Sequence, residues 1–120
     1  MKIVVGGQID KDSIKNIVES IAGDKAEVVI KGDLEAAMSI KNGEFDYYVG
    51  ACNTGGGGAL AMAMAMLGSD MCSTISMPGS IKSDEFIIEE VQKGKKAFGF
   101  TAQHAEQVLP VLINEVLKNN

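Results

Sequence analysis

Phe45 Asp46 Tyr47 Tyr48 Val49 Gly50 Ala51 Cys52 Asn53 Thr54 Gly55 Gly56 Gly57 Gly58 Ala59 Leu60 decides how the rest of the chain is read. The aromatic, β-branched and small residues from Phe45 to Ala51 predict a buried strand. Ala59 to Leu67 predicts a helix, so the four consecutive glycines fall at a strand-to-helix turn. A turn needs one or two glycines, and ordering four costs more backbone entropy than any other run. Two readings account for the excess. In one, a loop without Cβ atoms lets backbone N–H groups crowd around an anion, at a helix start whose dipole favours negative charge. In the other, the glycines make a tight turn packed against a neighbouring strand. Ligand sites recur at such turns of α/β proteins, which favours the first.

Outward from this stretch the chain alternates strand and helix. Lys2 to Val5 is a short β-branched run stopped by Gly6 and Gly7. Ile14, Ile17, Val18 and Ile21 recur at helical spacing, with Asp10 or Asp12 to cap the start and Gly23 the end. Ala26 to Ile30 is a second strand. Asp33 then caps a helix expected to turn Leu34, Ala37 and Met38 inward. Phe45 to Ala51 is the third strand, and the helix after it has no polar face at all. A helix apolar all round is buried on both sides, and packing against a second copy of the chain is the favoured way to achieve that. Met71 to Ser76 is the fourth strand, followed by a turn at Met77 Pro78 Gly79. Ser83 caps a helix with Ile87, Ile88 and Val91 inward, and Ala97 to Phe100 is the fifth strand. In the last helix Pro110 implies either a start near Leu109 or a kink.

Five strands alternating with five helices predict an α/β fold: a three-layer, flavodoxin-like (Rossmann-like) parallel sheet of order 2-1-3-4-5, with residues 1–120 as one domain. The topological switch point then falls between the first and third strands. That places Gly6, Gly7 and Gln8 opposite Cys52 to Gly58, with Ser76 to Gly79 and then Thr101 to His104 further along the same edge.

Composition narrows the function. A net charge of −5 and scattered lysines argue against nucleic acid or an anionic membrane as partner. No arginine is present, so an anion must be held by backbone amides, hydroxyls or lysine. The longest apolar stretch, near Leu60 to Leu67, is too short to span a bilayer. The N-terminal apolar run is too short for a signal peptide. A cytoplasmic protein without direct membrane insertion is expected. Neither Cys52 nor Cys72 has metal-ligand or disulfide-framework spacing, and no metal or cofactor is expected.

Known fingerprints are absent. No lysine follows the glycines, so the chain lacks a Walker-type phosphate loop. Gly56, Gly58 and Ala61 fit GxGxxA but follow the third strand rather than the first. Cys52 has two readings, a small interior residue or a thiol activated by the adjacent helix start. Cys72 reads as core. His104, the one histidine, is placed on the functional edge, where it is either an acid–base group or an inert helix-start residue. Asn53 and Thr54 either orient a ligand or fix the turn.

Two resemblances add to these readings. Asp46 to Gly55 and Ala97 Phe98 Gly99 Phe100 carry a likeness, over nearly the full chain, to the YhfU-like family of small bacterial proteins. The resemblance implies no activity. Its members are encoded near a predicted membrane transporter and metabolic enzymes, which implies a role in small-molecule metabolism. Locally, Cys52 x Thr54 Gly55 x Gly57 is similar to the C-x-T-G-x-G loop of type B ribose-5-phosphate isomerases. That resemblance implies Cys52 as a base and the amides of Gly55 to Gly58 as an anion hole. The acidic residue and histidine of those enzymes are replaced by Gly7, Gln8 and Ile9, and their arginines have no counterpart.

Two functions are therefore expected. The first is binding of a small anionic, sugar-like metabolite, with isomerisation through Cys52, and His104 as a second catalytic candidate, as its sharpest form. Gly6, Gly7, Gln8, Asn53, Thr54 and Gly55 to Gly58 are the ligand-binding candidates, in a homodimer joined through the Ala/Met-rich helix. The second is a non-catalytic binding or regulatory subunit of a transporter or metabolic enzyme complex.

Overall fold

The computed structural model describes residues 1–53 and 56–119. In chain order it contains β1 (Lys2–Gly7), α1 (Lys11–Ala22), β2 (Glu27–Ile30), α2 (Asp33–Lys41), β3 (Tyr47–Cys52), α3 (Gly56–Leu67) and β4 (Cys72–Thr74). A small ribbon follows, β5 (Ser76–Met77) antiparallel to β6 (Ser80–Ile81), around Pro78 and Gly79. Then come α4 (Asp84–Gln92), β7 (Ala97–Thr101) and α5 (Ala105–Lys118). Five of these strands form one parallel sheet with helices on both faces, the expected three-layer α/β architecture.

The sheet order is β2-β1-β3-β7-β4. The first three places are as expected, whereas the last two are exchanged: the Ala97–Thr101 strand lies beside β3 and the Cys72–Thr74 strand is at the edge. The reason is burial. All five residues of β7 are buried, with Phe98 and Phe100 in the larger core and Gly99 packed under Leu60 of α3. β4 has only three residues, two of them hydroxylic, which suits an edge better than the middle of a sheet.

The exchange sends α4 backwards across the sheet, so α1, α4 and α5 pack together on one face and α2 and α3 on the other. Strand alternation feeds both layers. Ile3, Val5, Tyr47, Val49, Ala51, Phe98 and Phe100 face α1, α4 and α5, while Val4, Tyr48 and Ala97 face Leu60 and Ala63 of α3. The loops leaving β1 and β7 lead to helices on one face, and the loop leaving β3 leads to the other. The carboxyl end of β3 is thus flanked by diverging connections on both sides, where α/β sheets open crevices.

Several local expectations are corrected. In α2 it is Ala36, Ala37 and Ser39 that are buried, while Leu34 and Met38 are exposed, because the packing partner is the small-residue side of α3. Asp33 does not cap α2; Gly32 occupies the cap position, and the Asp33 side chain turns to Tyr48 instead. Asp10 is the cap residue of α1, in the left-handed region at φ 56°, without a side-chain capping bond. α3 begins at Gly56 rather than Ala59, and it buries Ala59, Leu60 and Ala63 while leaving Met62 and Met64 exposed. α5 starts at Ala105 and runs through Pro110. Ser83 caps α4 as expected, its hydroxyl accepting from Phe86 N–H at 3.1 Å.

Candidate functional site at the carboxyl end of the central strand

Gly6 and Gly7 end β1, and both are buried. A Cβ on Gly6 would stand 2.4 Å from Cε2 of Tyr48, so the Tyr48 ring occupies the room that glycine leaves. Gly7 has φ +75°, a conformation that side chains rarely adopt. Its N–H donates to Tyr48 Oη at 2.9 Å and to Asp33 Oδ1 at 3.2 Å. That N–H is therefore already bonded, and the residue β1 presents outward is Gln8, which is exposed. Gln8 N–H donates to the Ala51 carbonyl at 2.9 Å, continuing the ladder past the strand end. Its carboxamide lies over Gly58, with Oε1 3.0 Å from where a Cβ would be. The two segments expected to face each other thus meet at the start of α3.

Beneath them lies a polar cluster that sequence reasoning missed. Tyr48 is fully buried, and its hydroxyl oxygen is 2.5 Å from Asp33 Oδ1 and 2.8 Å from the Ala59 carbonyl oxygen, two acceptors for its one proton. Burial, and then the hydrogen bond and charge of Asp33, hold the phenol well above its ordinary range, against the opposing Gly7 N–H. One hydroxyl so joins the end of β1, the start of α2 and the first turns of α3. The available signal was a tyrosine in a fully apolar strand, whose O–H must find a partner when buried.

Cys52 closes β3 and is 2% exposed. Its register partner on β7 is Thr101, 1% exposed. Cys52 shares its strand face with Tyr48, and Thr101 shares its face with Ala97 and Gly99, so both side chains are directed to the α3 side. Thr101 N–H donates to Ser76 Oγ at 2.9 Å. Thr101 Oγ1 itself is buried without a hydrogen-bond partner, and the other such atom among the described residues is Nδ1 of His104, three residues on. His104 is half-buried at the cap position of α5. Asn53 is exposed, and Gly56 to Gly58 form the first turn of α3 rather than a loop. Thr54 and Gly55 lie outside the described residues. Cys72 opens β4 in the core as expected, its thiol pushed up by burial, against the opposing charge of Lys95.

A cleft of about 400 Å³ lies at the opposite, amino-terminal edge, lined by Ile40, Phe45, Asp46, Met66, Leu67 and Lys96 among others. Ligands of open parallel sheets bind at the carboxyl ends of strands, and both orphaned atoms lie at that end. The candidate site is placed there on those grounds. Among the described residues no group of His, Cys, Asp and Glu is arranged to hold a metal, and no helix is long and apolar enough to cross a membrane.

Fold and edge define a three-layer α/β protein with Gln8, Cys52 and Thr101 at the carboxyl ends of its three central strands. The chain belongs to the family described as protein of unknown function DUF2620, which it matches over residues 1–116. It is 44% identical over 115 residues to the uncharacterized protein YhfU of Escherichia coli K12, covering 96% of this chain and 97% of the relative. The YhfU proteins of Escherichia coli O6:H1 and Shigella flexneri match to the same extent. No solved structure matches the chain.

Proposed function

We propose that this protein binds a small anionic, sugar-like metabolite in the cytoplasm, at the carboxyl end of β3. The observation that carries this reading is the meeting of Gln8 with Gly58 beside Cys52. It brings a carboxamide and the N–H groups of a 12-residue helix start to one place, where the helix dipole favours an anion. The first turn of α3 contains neither acidic nor basic residues, and the nearby Asp33 carboxylate is engaged by Tyr48 and Gly7 N–H. In the catalytic form of the proposal, Cys52 as thiolate takes a proton from the hydroxyl-bearing carbon beside a sugar carbonyl and returns it to the former carbonyl carbon, while the hydroxyl proton passes to the former carbonyl oxygen. The helix-start amides stabilise the enediolate between the two steps.

A second reading is favoured by one observation. Met62 and Met64 on α3 and Leu34 and Met38 on α2 are all exposed large hydrophobic residues. Such a face suits a homodimer, or docking of the protein as a non-catalytic subunit on a transporter or enzyme.

Thermal unfolding in the presence of phosphate, sulfate, sugar phosphates, sugar acids and neutral sugars tests the first reading. A ligand at a hundredfold its Kd adds about 2.7 kcal/mol of stability. The expected result is an upward shift with hydroxylated anions that Gln8→Ala reduces without lowering the unliganded Tm. No shift with any anion would overturn metabolite binding and leave the docking reading to be pursued by partner capture. Cys52→Ser that turns over an identified substrate unchanged would remove the isomerase form alone.

A further inference from the structure

We propose that Thr101 is a ligand-binding residue, its hydroxyl taking a hydroxyl or oxyanion oxygen of a small hydroxylated anion seated at the start of α3. This assignment rests on the metabolite-binding reading, and it adds to that reading a residue and a required feature of the ligand. An unpaired buried hydroxyl destabilises a fold, and valine fills the same volume without that penalty. Thr101 Oγ1 has no partner although the residue is 1% exposed. Its N–H donates to Ser76 Oγ and the residue pairs in register with Cys52, so strand and ladder are held without the hydroxyl.

Position gives the orphan its meaning. The exchanged strand order puts β7 against β3, so Thr101 is the direct neighbour of Cys52 in the ladder, on the same face of the sheet. Gly99, two residues earlier on that face, packs under Leu60 in the second turn of α3. Thr101 therefore points to the part of α3 nearer its N-terminus, which Gln8 approaches from the β1 side. The ligand surroundings are then a carboxamide on one side of β3, a hydroxyl on the other, a thiol between them and helix-start amides above. The carboxamide and the hydroxyl each donate and accept, and the sequence has no arginine. Neutral donors that can also accept suit an anion bearing hydroxyl groups better than a bare, highly charged one. Sugar phosphates and sugar acids share that chemistry. Oγ1 is closed to bulk water here, so binding includes a local opening above it and leaves the bound group in a dry neighbourhood.

The test measures unliganded Tm and ligand-induced shift together, on wild type, Thr101→Val and Thr101→Ser. The probes are ribose 5-phosphate, gluconate, inorganic phosphate and ribose. The expected result is opposite signs in Thr101→Val: unliganded Tm rises by about 4 °C, because the orphan is gone. Affinity for the probe that shifts wild type falls about tenfold or more, because a hydrogen bond is lost. Thr101→Ser keeps affinity within about threefold. Ribose 5-phosphate against gluconate decides which anionic group is taken, and a shift with inorganic phosphate as large as with either would overturn the requirement for hydroxyls. If Thr101→Val binds like wild type, the assignment falls while metabolite binding stands. If Thr101→Val lowers the unliganded Tm or does not fold, the hydroxyl is structural and the assignment falls. If wild type shifts with no probe, the assignment and the reading beneath it fall together.

Discussion

Replacing Tyr48 by phenylalanine removes one oxygen and tests whether the polar cluster under α3 holds the site together. The change keeps the ring that fills the space over Gly6, so packing is preserved. Three contacts disappear, at 2.5 Å to Asp33, 2.8 Å to Ala59 O and 2.9 Å from Gly7 N–H. They are not equal. Gly7 N–H keeps Asp33 Oδ1 at 3.2 Å, and the Ala59 carbonyl lies within a helix that supplies its own donor. The main loss is the bond to the carboxylate, for which about 2–3 kcal/mol is expected. For a chain of this length that lowers Tm by about 6–12 °C, readable by circular dichroism. Asp33→Ala should cost a similar amount, and the double variant should be less destabilised than the sum by about 1–2 kcal/mol, since one interaction is removed twice. Amide exchange at Gly7 should quicken in Tyr48→Phe. A loss below about 0.5 kcal/mol, or strictly additive variants, would refute the coupling of β1, α2 and α3 through this hydroxyl.

Gly6→Ala should destabilise by about 3 kcal/mol in urea unfolding, because its Cβ would meet Tyr48 Cε2 at 2.4 Å and Ala36 Cβ at 2.9 Å while the anchored ring cannot swing away; a neutral effect would show otherwise. Burial pushes the Glu90 carboxyl up, but the Ser73 hydroxyl at 2.7 Å and Lys93 at 3.3 Å prevail and hold it below its ordinary 4.5. Its stabilisation is therefore present above about pH 4.5 and fades as pH falls through the lower folded value. Glu90→Gln should cost about 1–2 kcal/mol at neutral pH and progressively less below pH 4.5, and a difference that ignores acid would count against the pairing. Tyr48 works in the opposite direction. Its contribution is whole below pH 10 and declines as pH rises further, so in an absorbance titration one of the two tyrosines should stay protonated until the chain unfolds. Met62→Lys with Met64→Lys should leave folding within about 0.5 kcal/mol, both positions being exposed, and light scattering should show a dimer becoming a monomer; a wild-type monomer would dismiss α3 as a self-association face.

The elements were legible because the β-branched run from Lys2 to Val5 stops at Gly6, because Gly43 and Gly94 follow helices, and because apolar residues recur at helical spacing from Ile14 and Ile87. Which strand stands where was not, since hydrophobicity reports burial and not neighbours. Ala97 to Phe100, as the fifth strand of the order 2-1-3-4-5, was expected at the sheet edge. Only the depth of Phe98 and Phe100, and the need of Leu60 for Gly99, decide that it lies beside β3. Leu34 and Met38 were expected inward from periodicity alone, but α3 accepts only small residues from α2 at close approach, and Ala36 and Ala37 take that place. Topology placed Gln8 and Cys52 at the carboxyl ends of β1 and β3, where they lie. It placed Gly6 and Gly7 there too, and in the structure both serve Tyr48. Tyr48 and Asp33 went unrecognised because a long-range hydrogen bond leaves no periodic trace. Thr101 was placed on the edge, yet nothing in a sequence marks a hydroxyl as unpaired.

Among the described strands β4 pairs with β7 alone. Until residues 97–101 have left the ribosome, the Cys72–Thr74 segment has no strand to join, and one side of β3 remains open. β7 is the piece that both β3 and the Cys72–Thr74 segment wait for, and its arrival joins one to the other. The Cys52–Thr101 pair is made by that last insertion. A nascent or truncated chain therefore has its glycine-rich helix start well before Cys52 has Thr101 beside it.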